Sequence, residues 1–207
     1  MSDQHDPMAR ARAAALAELR AAPVAARWTR KAARVVGASV VVCLLVGAVA
    51  VAASLIDARG AVAQGPFLAA LLVVVVLGGV GAVAPRGRNL AVVVALVGAP
   101  IAMAAIAWAR GAGLPSTSPA WVCSVSHVGL DLIPLGFALA ALRQSAWTWP
   151  RALAAGLGAG TVGAFLGELA CHQGARHVLV HHVGAWLFVA LACVAISRAL
   201  PSRTFAP

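Results

Sequence analysis

Cysteine and histidine residues lie at the ends of three long apolar segments in the second half of the chain. They are Cys123, His127, Cys171, His172, His177, His181 and His182. Thiolates and imidazoles are typical ligands of zinc, copper and other soft ions. Two cysteines can instead form a disulfide if their Cα atoms lie about 4.4–6.8 Å apart. These residue types therefore indicate metal or redox sensing, with either Zn²⁺ (or another soft metal ion) or a Cys123–Cys171 disulfide.

Two carboxylates accompany these residues within the apolar segments. Cys123, His127 and Asp131 follow one another at four-residue spacing, which places them on one stripe of an α-helix, and Asp131 then lies about 12 Å along the helix from Cys123. Glu168 shares a helix face with His172. Because a carboxylate in lipid is costly, we expect Asp131 to pair with His127 or to stay protonated and hydrogen-bonded. A polar clasp between helices is the alternative to a signalling role.

The last apolar segment begins with three histidines. On an α-helix His181 lies one turn from His177, whereas the adjacent His182 is expected to point elsewhere. The alternative to a binding site is that the histidines are interfacial residues and the cysteines are small packing residues. Cys43 and Cys193 lie inside apolar segments, and we predict that they belong to the core.

The composition places these segments in a membrane. Of the 207 residues, 62% are hydrophobic and only 11% are charged, a balance that excludes an ordinary soluble domain. A spanning helix needs roughly 20 apolar residues, and the stretches lack the alternation of a barrel strand. The sequence therefore predicts an all-α integral membrane protein with six transmembrane helices, near residues 35–56, 67–84, 90–109, 122–142, 152–170 and 178–197.

Lysine and arginine residues predict the orientation, because cytoplasmic segments are enriched in them. Most of them fall in the N-terminal tail, the second and fourth connections and the C-terminus, whereas Arg59, Arg110 and Arg176 fall on the other side. Both termini are thus expected in the cytoplasm of a bacterial cell, and the Cys/His residues in the periplasm. The expected parts are a cytoplasmic tail (1–34), a six-helix transmembrane domain (35–199) and a short cytoplasmic C-terminal tail (200–207). The net charge of +10 follows from this topology and requires no nucleic-acid partner.

The fifth apolar stretch is rich in glycine. Gly156 and Gly160, and again Gly163 and Gly167, form pairs of small residues four apart. Such pairs allow close approach of helix backbones in membranes. We therefore expect this helix to lie centrally in the bundle.

The order of several features resembles the NrsF-type six-span membrane anti-sigma factors over about residues 121–190. These features are Cys123, Pro134-Leu135, Ala141-Leu142-Arg143, Pro150, the glycine run 156–167, Leu169-Ala170-Cys171, His177, His182 and Ala185-Trp186. The resemblance implies a protein that is not an enzyme and that holds an extracytoplasmic-function (ECF) sigma factor with its cytoplasmic tail. It also implies that the periplasmic cysteines, matched by Cys123 and Cys171, sense metals or oxidants and release the sigma factor.

The tail carries the candidate residues for sigma-factor binding, and among them Pro23, Arg27 and Arg34 match the Pro- and Arg-rich tail that the resemblance implies. Residues 8–20 form an alanine-rich segment with helical propensity, which is too short to be stable alone in water and which Pro23 would end or bend. We expect it to order on its partner or on the lipid surface. The candidate contacts are Leu16, Leu19, Arg20, Pro23, Arg27 and Arg34. The expected partners are the ECF sigma factor and the bilayer, and a second copy of the chain is a further candidate.

Two other functions fit part of the pattern. A membrane redox protein could hold haem between paired histidines among His127, His177 and His181. A metal-handling protein could use the same Cys/His residues for transport, although a lone mid-membrane carboxylate and the lack of an inverted repeat give transport little support.

Overall fold

The fold is helical, as predicted. The computed structural model describes residues 7–21, 24–54, 62, 64–84, 90–111, 113, 119–145 and 147–200, except for the side chains of 18–27. Its helices are α1 (Pro7–Ala21), α2 (Val24–Ala52), α3 (Gly65–Val83), α4 (Leu90–Ala109), α5 (Trp121–Leu142), α6 (Trp149–Ala170) and α7 (Ala175–Ala199). Helix α2 from Trp28 onward and helices α3 to α7 are long and apolar enough to cross a membrane. The prediction of an all-α, six-span bundle is confirmed. The cytoplasmic placement of the termini stays a prediction.

The outer surface of the bundle is apolar. Large aliphatic side chains on different helices, such as Leu45, Ile101, Leu132 and Leu191, are between 59 and 62% exposed. In water such a surface would drive aggregation, whereas lipid tails match it. The outward faces are therefore the lipid-contacting faces.

Helix α6 lies at the centre of the bundle. It is 83% buried over its apolar window, whereas the other spans are 22 to 44% buried. Its most extensive packing is against α3, α7 and α5. A Cβ atom on Gly156 would lie 2.7 Å from the Cα of Ala190 in α7, and one on Gly158 would lie 2.9 Å from the Cα of Gly78 in α3. The glycines thus allow the close approach that places α6 centrally, which confirms the prediction.

The tail and the Cys/His residues belong to opposite ends of the bundle. At one end Trp28 and Val35, near the start of α2, pack with Val83 of α3, Leu142 of α5 and Ala152 of α6. The Cys/His residues occupy the other ends of α5 and α6 and the first turns of α7. Because α1 precedes α2 directly, the tail joins the bundle at the end remote from the cysteines.

Candidate metal and redox site

Four side chains from the ends of three helices converge in one group. Cys123 stands in the first turn of α5, Cys171 directly follows α6, and His177 and His182 come from the start of α7. One ligand atom from each lies within 4.8 Å of the ligand atoms of the other three. Both cysteines are free thiols. Cys171 and His182 are buried, at 8 and 5% exposure, while Cys123 and His177 are partly accessible. We refer to these four residues as the Cys/His cluster.

A π-helical segment accounts for the position of His182. Residues Val178–Val183 form a π-helix within α7, and a π-helix joins residues i and i+5. On a regular α-helix, five residues turn through about 500°, which would leave His182 about 140° away from His177. The ring centroids of His177 and His182 are instead 5.4 Å apart. The expectation that His182 points elsewhere is therefore wrong, because it assumed α-helical periodicity throughout.

The other predicted histidines lie outside this group of four. The ring of His181 is 4.8 Å from that of His177, but its Nδ1 is 3.1 Å from the hydroxyl of Ser124 in α5. That hydroxyl also donates to the carbonyl of His181 at 3.2 Å. His172 is exposed at the end of α6. His181 therefore ties α7 to α5 beside the cluster, and His172 faces outward.

An arginine that the sequence assigned only to the periplasmic side of the membrane anchors Cys171. Arg110 follows α4 and forms an ion pair of 2.8 Å with the carboxylate of Glu168. It also donates hydrogen bonds to the backbone carbonyls of Glu168, at 3.0 Å, and of Cys171. These carbonyls belong to the last turn of α6, where a cation also complements the helix dipole. A buried carboxylate near a helix end and an arginine after another span are the signal that would have suggested this pair.

Backbone hydrogen bonds join the segment after α4 to the segment between α6 and α7. Gly113 forms an antiparallel bridge with Gln173, and the N–H of Ala175 donates to the carbonyl of Gly111 at 3.3 Å. Gly113 has φ +75°, and a Cβ atom there would overlap the backbone of Gly174. Only glycine fits this left-handed conformation and close approach. The segment between α6 and α7, which carries Cys171, is thus held against the end of α4.

A buried polar clasp lies next to the cluster, between α5 and α6. His127 Nε2 donates to the carbonyl of Gly160 at 2.8 Å and lies 3.3 Å from Asp131 Oδ2. The N–H of Gly163 donates to Asp131 Oδ1 at 2.6 Å. The expected pairing of Asp131 with His127 is present, and both side chains are almost fully buried. The ring of His127 is 6.0 Å from that of His182, so the clasp and the cluster are adjacent.

A cavity connects the cluster to its surroundings. It has a volume of about 540 Å³ and is lined in part by Gln173, Arg176, His177 and His181. The lining is partly polar because it includes a guanidinium and two imidazoles. Solutes can therefore approach the cluster along the His177 side.

The structure describes the side chains of only two of the six residues predicted to bind the sigma factor. Leu16 of α1 is 48% exposed, and Arg34 of α2 is exposed. Leu19, Arg20 and Arg27 lie in α1 and α2, but their side chains are outside the described part of the chain, as is Pro23. The predicted tail helix over 8–20 is present as α1.

Comparison with known proteins identifies a relative. The chain is 40% identical over 199 residues to carotenogenesis protein CarR of Myxococcus xanthus, an alignment that covers 94% of this chain and 88% of the relative. No family model and no solved structure matches the chain.

Proposed function

Since the chain belongs to the family of carotenogenesis protein CarR, we propose that it is a membrane anti-sigma factor, a regulator rather than an enzyme. It is a multi-pass protein of the inner membrane. In this proposal the cytoplasmic tail sequesters an ECF sigma factor, and a signal at the periplasmic Cys/His cluster releases it. The name of the relative suggests carotenoid formation as one process under the control of the released sigma factor. The earlier resemblance to NrsF-type proteins agrees with this role.

The observation that carries the proposal is that the Cys/His cluster and the N-terminal tail lie at opposite ends of the bundle. The Cys/His cluster gathers the ends of α5, α6 and α7, whereas the tail enters at the opposite end through Trp28 and Val35. Spans of this length cover a hydrocarbon core of about 30 Å. An element outside the cell and an element inside it are what a transmembrane signalling protein requires. The arginine distribution supports placing the tail in the cytoplasm.

The tail has the properties of a binding element. Helix α1 has 15 residues, a length that is marginal in water without a partner, and its described side chains are exposed. Leu16 offers an apolar contact, and we propose that Leu19, Arg20, Pro23, Arg27 and Arg34 complete the surface. A sigma factor bound there would be kept from RNA polymerase by simple occupation of its surface.

The cluster supports a switch because it joins three helices. Metal binding or disulfide formation at Cys123 and Cys171 would favour one arrangement of α5, α6 and α7 over another. A signal shifts such an equilibrium only if it binds the two arrangements differently. The four ligand atoms come from three helices, so a movement of these helices changes the distances between the atoms. A metal ion or a disulfide therefore fits one arrangement better than the other.

The haem alternative receives less support from the same geometry. The Nε2 of His127 is engaged with Gly160 and Asp131, and His181 is engaged with Ser124. Haem ligation would require these hydrogen bonds to break.

Co-purification tests the proposal. The full chain in detergent or nanodiscs is incubated with the ECF sigma factor encoded beside its gene, and the same chain lacking residues 1–23, which precede α2, serves as the control. We expect the full chain to retain the sigma factor and the shortened chain to lose it. Equal recovery with both chains, or with neither, would contradict the proposal.

A further inference from the structure

We propose that Cys123, Cys171, His177 and His182 form a tetrahedral site for a divalent ion of the Zn²⁺ class, and that this ion holds α7 in its π-helical register. The inference deepens the proposed function, on which its regulatory meaning rests, by naming the ligand set and the ion class.

The four ligand atoms are close enough to form a tetrahedral site after a small inward movement. Zinc binds thiolate at about 2.3 Å and imidazole at about 2.0–2.1 Å, so neighbouring ligand atoms in a tetrahedron lie roughly 3.3–3.8 Å apart. In the structure the four ligand atoms lie within 4.8 Å of one another. Each pair therefore needs to close by no more than about 1.5 Å. Small rotamer changes of the four side chains supply that distance.

Two imidazole nitrogens lack the partner that an ion would provide. The Nε2 atoms of His177 and His182 are buried and accept or donate no hydrogen bond among the described residues. His182 is only 5% exposed. An unpaired polar atom in such surroundings is costly, and a metal–nitrogen bond would satisfy it. Gly167 makes room for this ring, because a Cβ atom there would overlap its Nδ1.

The charge of the ligand set selects a divalent ion. Two thiolates and two neutral imidazoles carry a net charge of −2, which a divalent ion cancels. Neutrality matters because unbalanced charge at the edge of a membrane is unfavourable. Two cations lie nearby: Arg110 is already paired with Glu168, and Arg176 is exposed at the cavity. The group includes no carboxylate, and the donors therefore disfavour Mg²⁺, Ca²⁺ and Mn²⁺.

The π-helical segment gives the ion a structural consequence. His177 and His182 are five residues apart and lie on one side of α7 only in the π-helical register, which is rare and often found at functional sites. An ion bound by both stabilises that register. Without the ion, conversion to an α-helix would turn His182 away and rotate one half of α7 against the other. The far half contributes Val189 and Cys193 to the apolar cluster that contains Val35 of α2.

The cluster is reachable by an aqueous ion. The cavity of about 540 Å³ is lined by His177, His181 and Arg176, and Cys123 and His177 are partly accessible. Entry along this side leaves the buried ligands, Cys171 and His182, as the inner half of the site.

Cobalt spectroscopy of the reduced, metal-free full-length protein in nanodiscs tests the site. One equivalent of Co²⁺ should give intense visible bands of a tetrahedral centre and thiolate-to-cobalt charge-transfer bands, and Zn²⁺ should displace it. His182→Ala and Cys171→Ser should weaken Zn²⁺ affinity by more than the roughly 10–100-fold that loss of a ligand's hydrogen-bond partner costs. The matched controls, His181→Ala and His172→Ala, should retain the spectrum.

Several outcomes would overturn the site. The first is a weak octahedral Co²⁺ spectrum, and the second is no Co²⁺ binding by the reduced protein. The third is an equal loss of Zn²⁺ affinity with His181→Ala and with His182→Ala. If His182→Ala does not fold, His182→Cys keeps a donor at the position and should bind Co²⁺ with a stronger thiolate band. Its failure to bind, in protein that elutes as the wild type does, counts against the site. No sigma factor is present in these measurements, so they succeed or fail independently of the co-purification.

Discussion

The backbone N–H of Gly163 donates a 2.6 Å hydrogen bond to Asp131 Oδ1 across the interface of α5 and α6. The carboxylate is fully buried and also lies beside His127. A buried polar group with its partner in place stabilises the interface, whereas removal of one partner leaves the other unsatisfied. The contact thus links the central helix to the helix that carries Cys123.

Replacement of Asp131 tests the strength of this clasp. Asp131→Leu should destabilise the bundle by about 1–3 kcal/mol, because the Gly163 N–H loses its acceptor. Asp131→Asn keeps a carbonyl oxygen at the position and should cost less than about 1 kcal/mol. Reversible unfolding in detergent measures both. Equal losses of stability for the two variants would show that the hydrogen bond from Gly163 does not account for the loss.

Gly163 itself should resist enlargement. A Cβ atom there would lie 2.7 Å from Cγ of His127, so Gly163→Ala should cost about 1–3 kcal/mol through overpacking. The matched control is Gly136→Ala in α5, where no atom of the described residues lies within 4 Å of the added atom. The control should be neutral or stabilising by up to about 1 kcal/mol. Thermal unfolding followed by tryptophan fluorescence compares them, and similar midpoints would contradict the packing described here.

The Arg110–Glu168 pair should be strongly coupled. Arg110→Met leaves a buried carboxylate without its cation and should destabilise the protein by about 3–5 kcal/mol. The double variant Arg110→Met, Glu168→Met removes both charges and should recover much of that loss. A double-mutant cycle on unfolding free energies measures the coupling. Additive losses would mean that the two side chains do not act as a pair.

The two cysteines of the cluster should act as one unit. Cys123→Ser and Cys171→Ser should each alter sigma-factor release to the same extent, and the double variant should do no more than either single change. A reporter gene transcribed by the cognate sigma factor measures release. Cys193→Ser in the core is the control and should leave the response to the signal in place. Unequal or additive effects would separate the roles of the two thiols.

Leu16 should contribute to sigma-factor retention. Leu16→Glu should weaken binding at least about tenfold, equivalent to about 1.4 kcal/mol, because a charge replaces an exposed apolar contact. Ala14→Glu adds the same charge on the opposite side of α1, since two residues turn an α-helix through about 200°, and it should have a smaller effect. Co-purification with the full-length protein measures retention. An unchanged yield with Leu16→Glu would remove this residue from the proposed surface.

The spans and their arrangement followed from simple physical features of the sequence. Apolar length predicted the helices, and the predicted segment 90–109 coincides with α4. The glycine run predicted the central position of α6, because only small residues permit such close approach. Alternating crossings placed Cys123, Cys171 and His177 at one end of the bundle.

The positions of His182 and Arg110 could not be predicted from helical periodicity, because they depend on local departures from regular helix geometry. His182 enters the cluster through the π-helical segment, and an α-helical wheel turns it away. Arg110 lies in a connection, where its direction is set by the bridge between Gly113 and Gln173 rather than by a repeat. His127 was expected both among the sensing residues and as the partner of Asp131, and the structure shows the contact with Asp131.

Helix α2 is the least embedded of the six spans, with 22% of its apolar window buried. Its buried face packs against α3, α5 and α6, and the rest of the helix faces lipid. A shift of α2 against these three helices would move Val35 and, with it, the tail that precedes this residue.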